Sequence, residues 1–254
     1  QATLGALNDT QKLIRAAQRT APVEITDDVR QVFTQVLGIT EDLNAEELVQ
    51  ASIDQLGELA SASPIVLALE GGFHGKSTGA LSLTANAEYR SPWRRLGFST
   101  TFIAAGDVEA LDSVVDGARY AYVEISLRGS VLRAERAELV NIVAAFAEPI
   151  QGEGGVREVE GTFLQALRSR ATECGFPLVF DEIQSGMGRT GSFLASTPLG
   201  VVPDYNLLSK ALGGGLCKVS ALLVDSERYV SEFGLLHTST FAGDKGSNPS
   251  HRPL

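Results

Sequence analysis

The chain has 254 residues, enough for one large domain or two small ones, and 44% hydrophobic content suits a globular fold with a sizeable core. Lys plus Arg is 21 and Asp plus Glu is 31, a formal net charge of -10 that argues against nucleic acid or an anionic membrane as the main partner. The two cysteines, Cys174 and Cys217, are too few for a disulfide framework and stand outside any CxxC or His-rich metal spacing. No metal and a reducing cytoplasm are the expectations.

Taken in chain order, Gln1 to Thr10 lacks a basic n-region and an apolar h-region, and no stretch approaches the roughly 18 apolar residues of a membrane span. The expectation is a chain neither exported nor inserted. Residues 1–63 read as a helical N-terminal segment. Val29, Val32, Phe33, Val36 and Leu37 lie at helical spacing, with Asp27 or Asp28 as the starting cap and Gly38 as the left-handed stop. A second helix starts at Asn44, with Glu47 three residues on as a capping-box variant, and carries Val49, Ile53, Leu56 and Ala60 on one face.

From residue 64 the texture becomes short apolar runs between turn signals. Ile65 to Leu69, Ile142 to Ala147, Leu178 to Phe180, Tyr205 to Ser209 and Val219 to Val224 read as strands covered on both faces, the mark of a mainly parallel sheet between helix layers. Phe163, Leu164, Leu167, Ala171 and Cys174, closed by Gly175, form a helix between two of them. The expected class is therefore a three-layer α/β domain over residues 64–254, following the helical segment over residues 1–63.

Ligands of open parallel sheets sit beyond the carboxyl ends of the strands, and four such ends carry unusual residues. Glu70-Gly-Gly-Phe-His-Gly75 sets an aromatic ring and an imidazole on a glycine-rich loop, a pattern a plain structural turn shares. Glu148-Pro-Ile-Gln-Gly-Glu-Gly-Gly155 offers two carboxylates and an amide, equally able to be acid/base groups, metal ligands or solvated charge. Leu178-Val-Phe-Asp-Glu-Ile-Gln184 delivers Asp181 from a buried strand, where it requires a cationic partner. Lys210 follows an apolar strand and precedes Gly213-Gly-Gly215, so desolvation favours its neutral, nucleophilic amine; alone, such a lysine reads as a snorkelling surface residue. The strand-end lysine, the strand-end aspartate with a glutamine three residues on, the aromatic loop and a late threonine together describe a pyridoxal phosphate (PLP) site.

The stretches EGGFHGKSTGALSLT (70–84), FAEPIQGEGGV (146–156), LVFDEIQSGMGRTGSFLA (178–195), PDYNLLSKALGGGL (203–216) and HTSTFAGD (237–244) resemble, in order, the class III aminotransferases, which are fold-type I PLP enzymes. The resemblance implies that Lys210 forms the Schiff base with the cofactor and shuttles the substrate proton. It implies that Asp181 pairs with the pyridinium nitrogen and Gln184 with the ring hydroxyl. Ile183 and Phe73 would pack the two ring faces, with His74 alongside. Glu153 matches the loop glutamate that pairs with a switching arginine, and Thr240 the threonine that reaches a neighbouring subunit's cofactor phosphate. A homodimer with shared sites, an amine or amino acid donor and a carbonyl acceptor follow. Aminomutase, racemase or decarboxylase chemistry, or a non-catalytic dimerising domain, are the rival readings on the same scaffold.

The chain departs from the family in three ways. Asn44-Ala-Glu-Glu-Leu48 stands where a Ser-Gly-Thr/Ser-Glu-Ala helix start should bind the phosphate. The C-terminal small domain and the substrate-carboxylate arginine are not found before residue 254. Discontinuities near residues 62–64, 126–130 and after 244 suggest absent segments. Residues 27–61 also faintly resemble an acyl or peptidyl carrier, which implies a polyketide or nonribosomal peptide setting and a tethered acceptor.

Overall fold

Two kinds of hydrophobic patterning build two separate cores. The computed structural model describes Lys12, residues 22–93 and residues 97–230. In chain order the elements are helices α1 (Asp27–Leu37) and α2 (Ala45–Ser61), strand β1 (Ile65–Leu69), short helices α3 (Thr78–Leu83) and α4 (Ala87–Arg90), and strand β2 (Thr100–Ile103). Helix α5 (Val108–Gly117), strands β3 (Arg119–Arg128), β4 (Val131–Val140), β5 (Ile142–Ala147), β6 (Ile150–Gln151) and β7 (Arg157–Glu158), and helix α6 (Gly161–Cys174) follow. The last are β8 (Leu178–Asp181), β9 (Tyr205–Leu208) and β10 (Ala221–Val224). The chain divides into one unit of residues 1–64 with 118–141 and another of residues 65–117 with 142–254.

In the first unit α1 buries Val29 and Phe33 and ends at Gly38, whose φ of 69° only glycine adopts freely. Its N-cap is Thr26, without a side-chain bond, rather than the expected Asp27 or Asp28. Those two carboxylates lie in the first turn instead, where the helix dipole favours them. The α2 cap is as read: Asn44 Oδ1 accepts the N–H groups of Glu46 and Glu47, and Asn44 N–H donates to Glu47 Oε2 at 2.8 Å.

The partner of these helices was not anticipated. Val29, Phe33, Leu48, Val49 and Leu56 pack with Val123, Ile125 and Leu132 of the antiparallel ribbon β3–β4. The apparent discontinuity at 126–130 is that ribbon's two-residue turn, in which Gly129 takes a φ of 63°. The Gln55 amide closes the ribbon: its Nε2 donates to Ala121 O at 3.0 Å and its Oε1 accepts the Val123 N–H at 3.2 Å. The expected continuous domain over 64–254 is thus interrupted by residues 118–141, because their alternating apolar face completes the core of the first unit. Helices packed on a ribbon do not support the likeness to a carrier.

The second unit is a six-stranded sheet of order β10-β9-β8-β5-β1-β2. All neighbours pair in parallel except β9 and β10. The class is α/β with a mainly parallel sheet, as the buried apolar runs required. Strand β10 departs from that expectation: it is antiparallel and leaves Leu222 44% and Leu223 45% exposed. The link from β9 holds a 3-10 turn (Lys210–Gly213) and the triple glycine rather than a crossover helix, so the chain returns antiparallel as an edge strand. Helix α6 buries Phe163, Leu164, Leu167 and Ala171 and stops at Gly175. Among the described residues, no helix is long and apolar enough to cross a membrane.

Candidate active site

Parallel register brings the carboxyl ends of β1, β5, β8 and β9 to one edge of the sheet, and the four motif loops leave from there. Asp181, the last residue of β8, pairs in register with Leu207 of β9, three residues before Lys210. The Lys210 amine donates to Gln184 Oε1 at 2.8 Å. Its backbone φ is 44°, a left-handed value that costs a non-glycine residue of order 1–3 kcal/mol. Val156 and Met187 share this trait at φ 55° and 60°, and they are the other two non-glycine cases among the described residues. All three lie on segments beside one cavity. That cavity, of about 580 Å³, is lined by Ile150, Gly152, Val156, Gln184, Arg189 and Lys210 among others.

Asp181 is buried but hydrogen-bonded through both of its carboxylate oxygens. At 6% exposure its Oδ2 lies 3.0 Å from His74 Nδ1, and its Oδ1 accepts the Ile183 N–H at 3.1 Å. His74 is held by its own N–H, which donates to Thr84 Oγ1, while its Nε2 is buried without a partner. Gly72 allows this approach, because a Cβ there would stand 2.9 Å from Leu69 O and 3.3 Å from His74 Nε2. Phe73 and Glu153 line a second cavity of about 300 Å³ with Tyr89 and Asn86. Phe73 also meets the Tyr89 ring edge to face at 6.4 Å.

The structure therefore brings together Lys210 with Gln184, Asp181 with His74 and Ile183, and Phe73 with Glu153. Thr240 lies outside the described residues. The Asn44 helix start is no anion seat, since the N–H groups of Asn44, Glu46 and Glu47 are already taken by the capping box and Glu46 and Glu47 add negative charge there. Glu148 and Gln151, read from the sequence only as members of a motif, and Glu182 carry bonds near the site that local spacing does not encode. Glu148 Oε1 accepts the Phe73 N–H and Oε2 the Gly152 N–H, and burial pushes its carboxyl up against those two bonds and against His74. Gln151 Nε2 donates to Glu70 O at 2.8 Å. Glu182, fully buried, accepts the N–H groups of Ala195 and Ser196 and the Ser196 hydroxyl, anchoring the loop that carries Arg189. The motifs flagged these loops, but only the approach of one loop to another shows what their acids bind.

A mainly parallel α/β sheet thus presents a lysine just past the end of one strand and a buried aspartate at the end of its neighbour. The aminotransferase class-III profile matches residues 8–248, and the chain belongs to that family. It is similar to a putrescine aminotransferase of Pectobacterium atrosepticum, 37% identical over 180 residues, which cover 70% of this chain and 35% of that protein. The chain thus spans about a third of the length of that curated relative. An ornithine aminotransferase from Toxoplasma gondii superposes with a TM-score of 0.50 at 25% identity, over 77% of this chain and 37% of the other. An amine transaminase from an uncultivated Pseudomonas species, in its PLP-bound form, shares the fold with a TM-score of 0.56 at 20% identity, over 95% of this chain and 59% of the other.

Proposed function

We propose that the protein is a PLP-dependent transaminase that moves an amino group between an amine or amino acid donor and a small carbonyl acceptor. The observation that carries this reading is the Lys210 amine on Gln184, at the strand end next to the one that presents Asp181. The donor set fits the cofactor: an amine for its aldehyde, an amide for its ring hydroxyl, and a buried carboxylate for its ring nitrogen. When bound, the cofactor supplies an electron sink for the charge left on a substrate carbon.

The chain's own groups do the rest. Lys210 would hold the cofactor covalently and, once displaced by the donor amine, take the proton from the substrate Cα. Asp181, fixed by His74 and the Ile183 N–H, would keep a proton on the ring nitrogen. Gln184 would hold the ring hydroxyl, Ile183 and Phe73 would bound the ring faces, and Glu153 would meet an arginine that responds to the substrate's carboxylate. The putrescine aminotransferase relative supports an amine among the donors.

The same reading makes the protein a homodimer of the cytoplasm, with Thr240 completing the partner's phosphate site. The exposed apolar side chains Val156, Phe193 and Leu216, on loops that leave the site edge, support a covered surface there, and a chain with as few as two cysteines fits a reducing compartment. The test is optical. Added PLP should give a visible absorbance band that borohydride discharges and that Lys210→Ala lacks. A wild-type protein with neither that band nor amino transfer from putrescine to 2-oxoglutarate would sink the proposal.

A further inference from the structure

One buried acid beside the site has no part in the chemistry just described. Glu148 follows β5, is 5% exposed, and uses its two carboxylate oxygens on two different loops. Oε1 accepts the Phe73 N–H of the loop after β1 at 2.8 Å, and Oε2 accepts the Gly152 N–H of its own loop at 3.2 Å. A buried carboxylate is costly to desolvate, so one that serves only as a clamp needs both bonds to persist. Gly152, the residue so clamped, packs directly on Gln184: a Cβ there would come within 2.5 Å of Gln184 Oε1 and 2.7 Å of its Cδ. Gln184 Oε1 is the atom that receives the Lys210 amine.

We propose that Glu148 is a positioning residue for Lys210. Its carboxylate fixes Gly152 against the Gln184 side chain, the clamped glycine leaves that side chain one place to lie, and Gln184 presents its oxygen to the amine. The other oxygen fixes Phe73 at the same time, so one side chain sets two walls of the site. The inference rests on reading Lys210 as the reacting amine. A glutamine at 148 keeps the shape but turns an N–H donor toward one of the two backbone N–H groups. An aspartate keeps the charge but falls a methylene short of spanning both loops.

The test measures the Lys210 amine directly. Wild type, Glu148→Gln, Glu148→Asp and Gly152→Ala are treated with limiting acetic anhydride without added cofactor, and acetylation of Lys210 is compared with that of exposed Lys218 by peptide mass spectrometry. In Gly152→Ala the clamp stays but Gln184 must swing away. Each variant that melts cooperatively near the wild-type temperature is expected to raise the Lys210 to Lys218 ratio at least about threefold. With PLP bound, each should lower kcat more than it changes KM. A ratio unchanged from wild type in Gly152→Ala, or in whichever Glu148 variant folds, overturns the proposal. If the wild type forms no visible band with PLP, the transaminase reading fails, and the acetylation ratio still decides whether Glu148 positions the amine.

Discussion

Loss of the Lys210 side chain should leave the other described groups of the site in place and still prevent cofactor retention. Lys210→Ala is expected to melt within a few degrees of wild type, since the side chain is exposed, and to retain no PLP after gel filtration. Gly72 is the opposite case. Gly72→Ala puts a methyl 2.9 Å from a backbone carbonyl, and a loss of about 1–3 kcal/mol in chemical denaturation is expected. Lys210 and Asp181 could be singled out because each stands at or just past the end of a largely apolar strand, and such a strand marks its own carboxyl end. Glu148 was legible only as one acid of a motif. Its bond to Phe73 spans 75 residues, and no local spacing encodes that approach.

Among the elements, helix ends and strand junctions carry the clearest energetic stakes. Asn44→Ala removes a capping box in full use and should cost about 0.5–2 kcal/mol, read as a lower thermal midpoint. Asp204 ties three elements together: its Oδ2 accepts Arg168 Nη1 of α6 and the Leu178 N–H that opens β8, both at 2.7 Å, and its Oδ1 accepts Arg228 Nε at 3.1 Å. Burial alone would raise its carboxyl, but the Leu178 N–H and the two guanidiniums bring it below the ordinary value of 3.8. A folded pKa below the unfolded one stabilises above the unfolded value, and that stabilisation fades as pH falls through the folded one. Asp204→Asn should therefore lose roughly 1–3 kcal/mol at neutral pH, and the gap to wild type should close as urea titrations move below pH 3.8. Strands β1 and β8 were readable because their burial is continuous, and α6 because its buried residues keep helical spacing; β2 was not read at all. The ribbon β3–β4 was not, because its inward Val123, Ile125 and Leu132 alternate with Glu124, Arg133, Glu135 and Arg136, and its apolar partners lie in α1 and α2.

Across the whole molecule, the first core is assembled from two distant stretches of chain. Phe33 is 1% exposed at its centre, and Phe33→Ala should cost about 3–5 kcal/mol and accelerate amide hydrogen exchange throughout residues 119–140. The Gln55 amide that closes the ribbon meets Ala121, 66 positions later in the chain. A ribosome adding about 5–20 residues per second leaves the two helices waiting roughly 3–13 s before their complement has been made. Through that interval Phe33, Leu48 and Leu56 are sticky and unshielded, so the nascent protein would be most in need of a chaperone well before Lys210 has been translated.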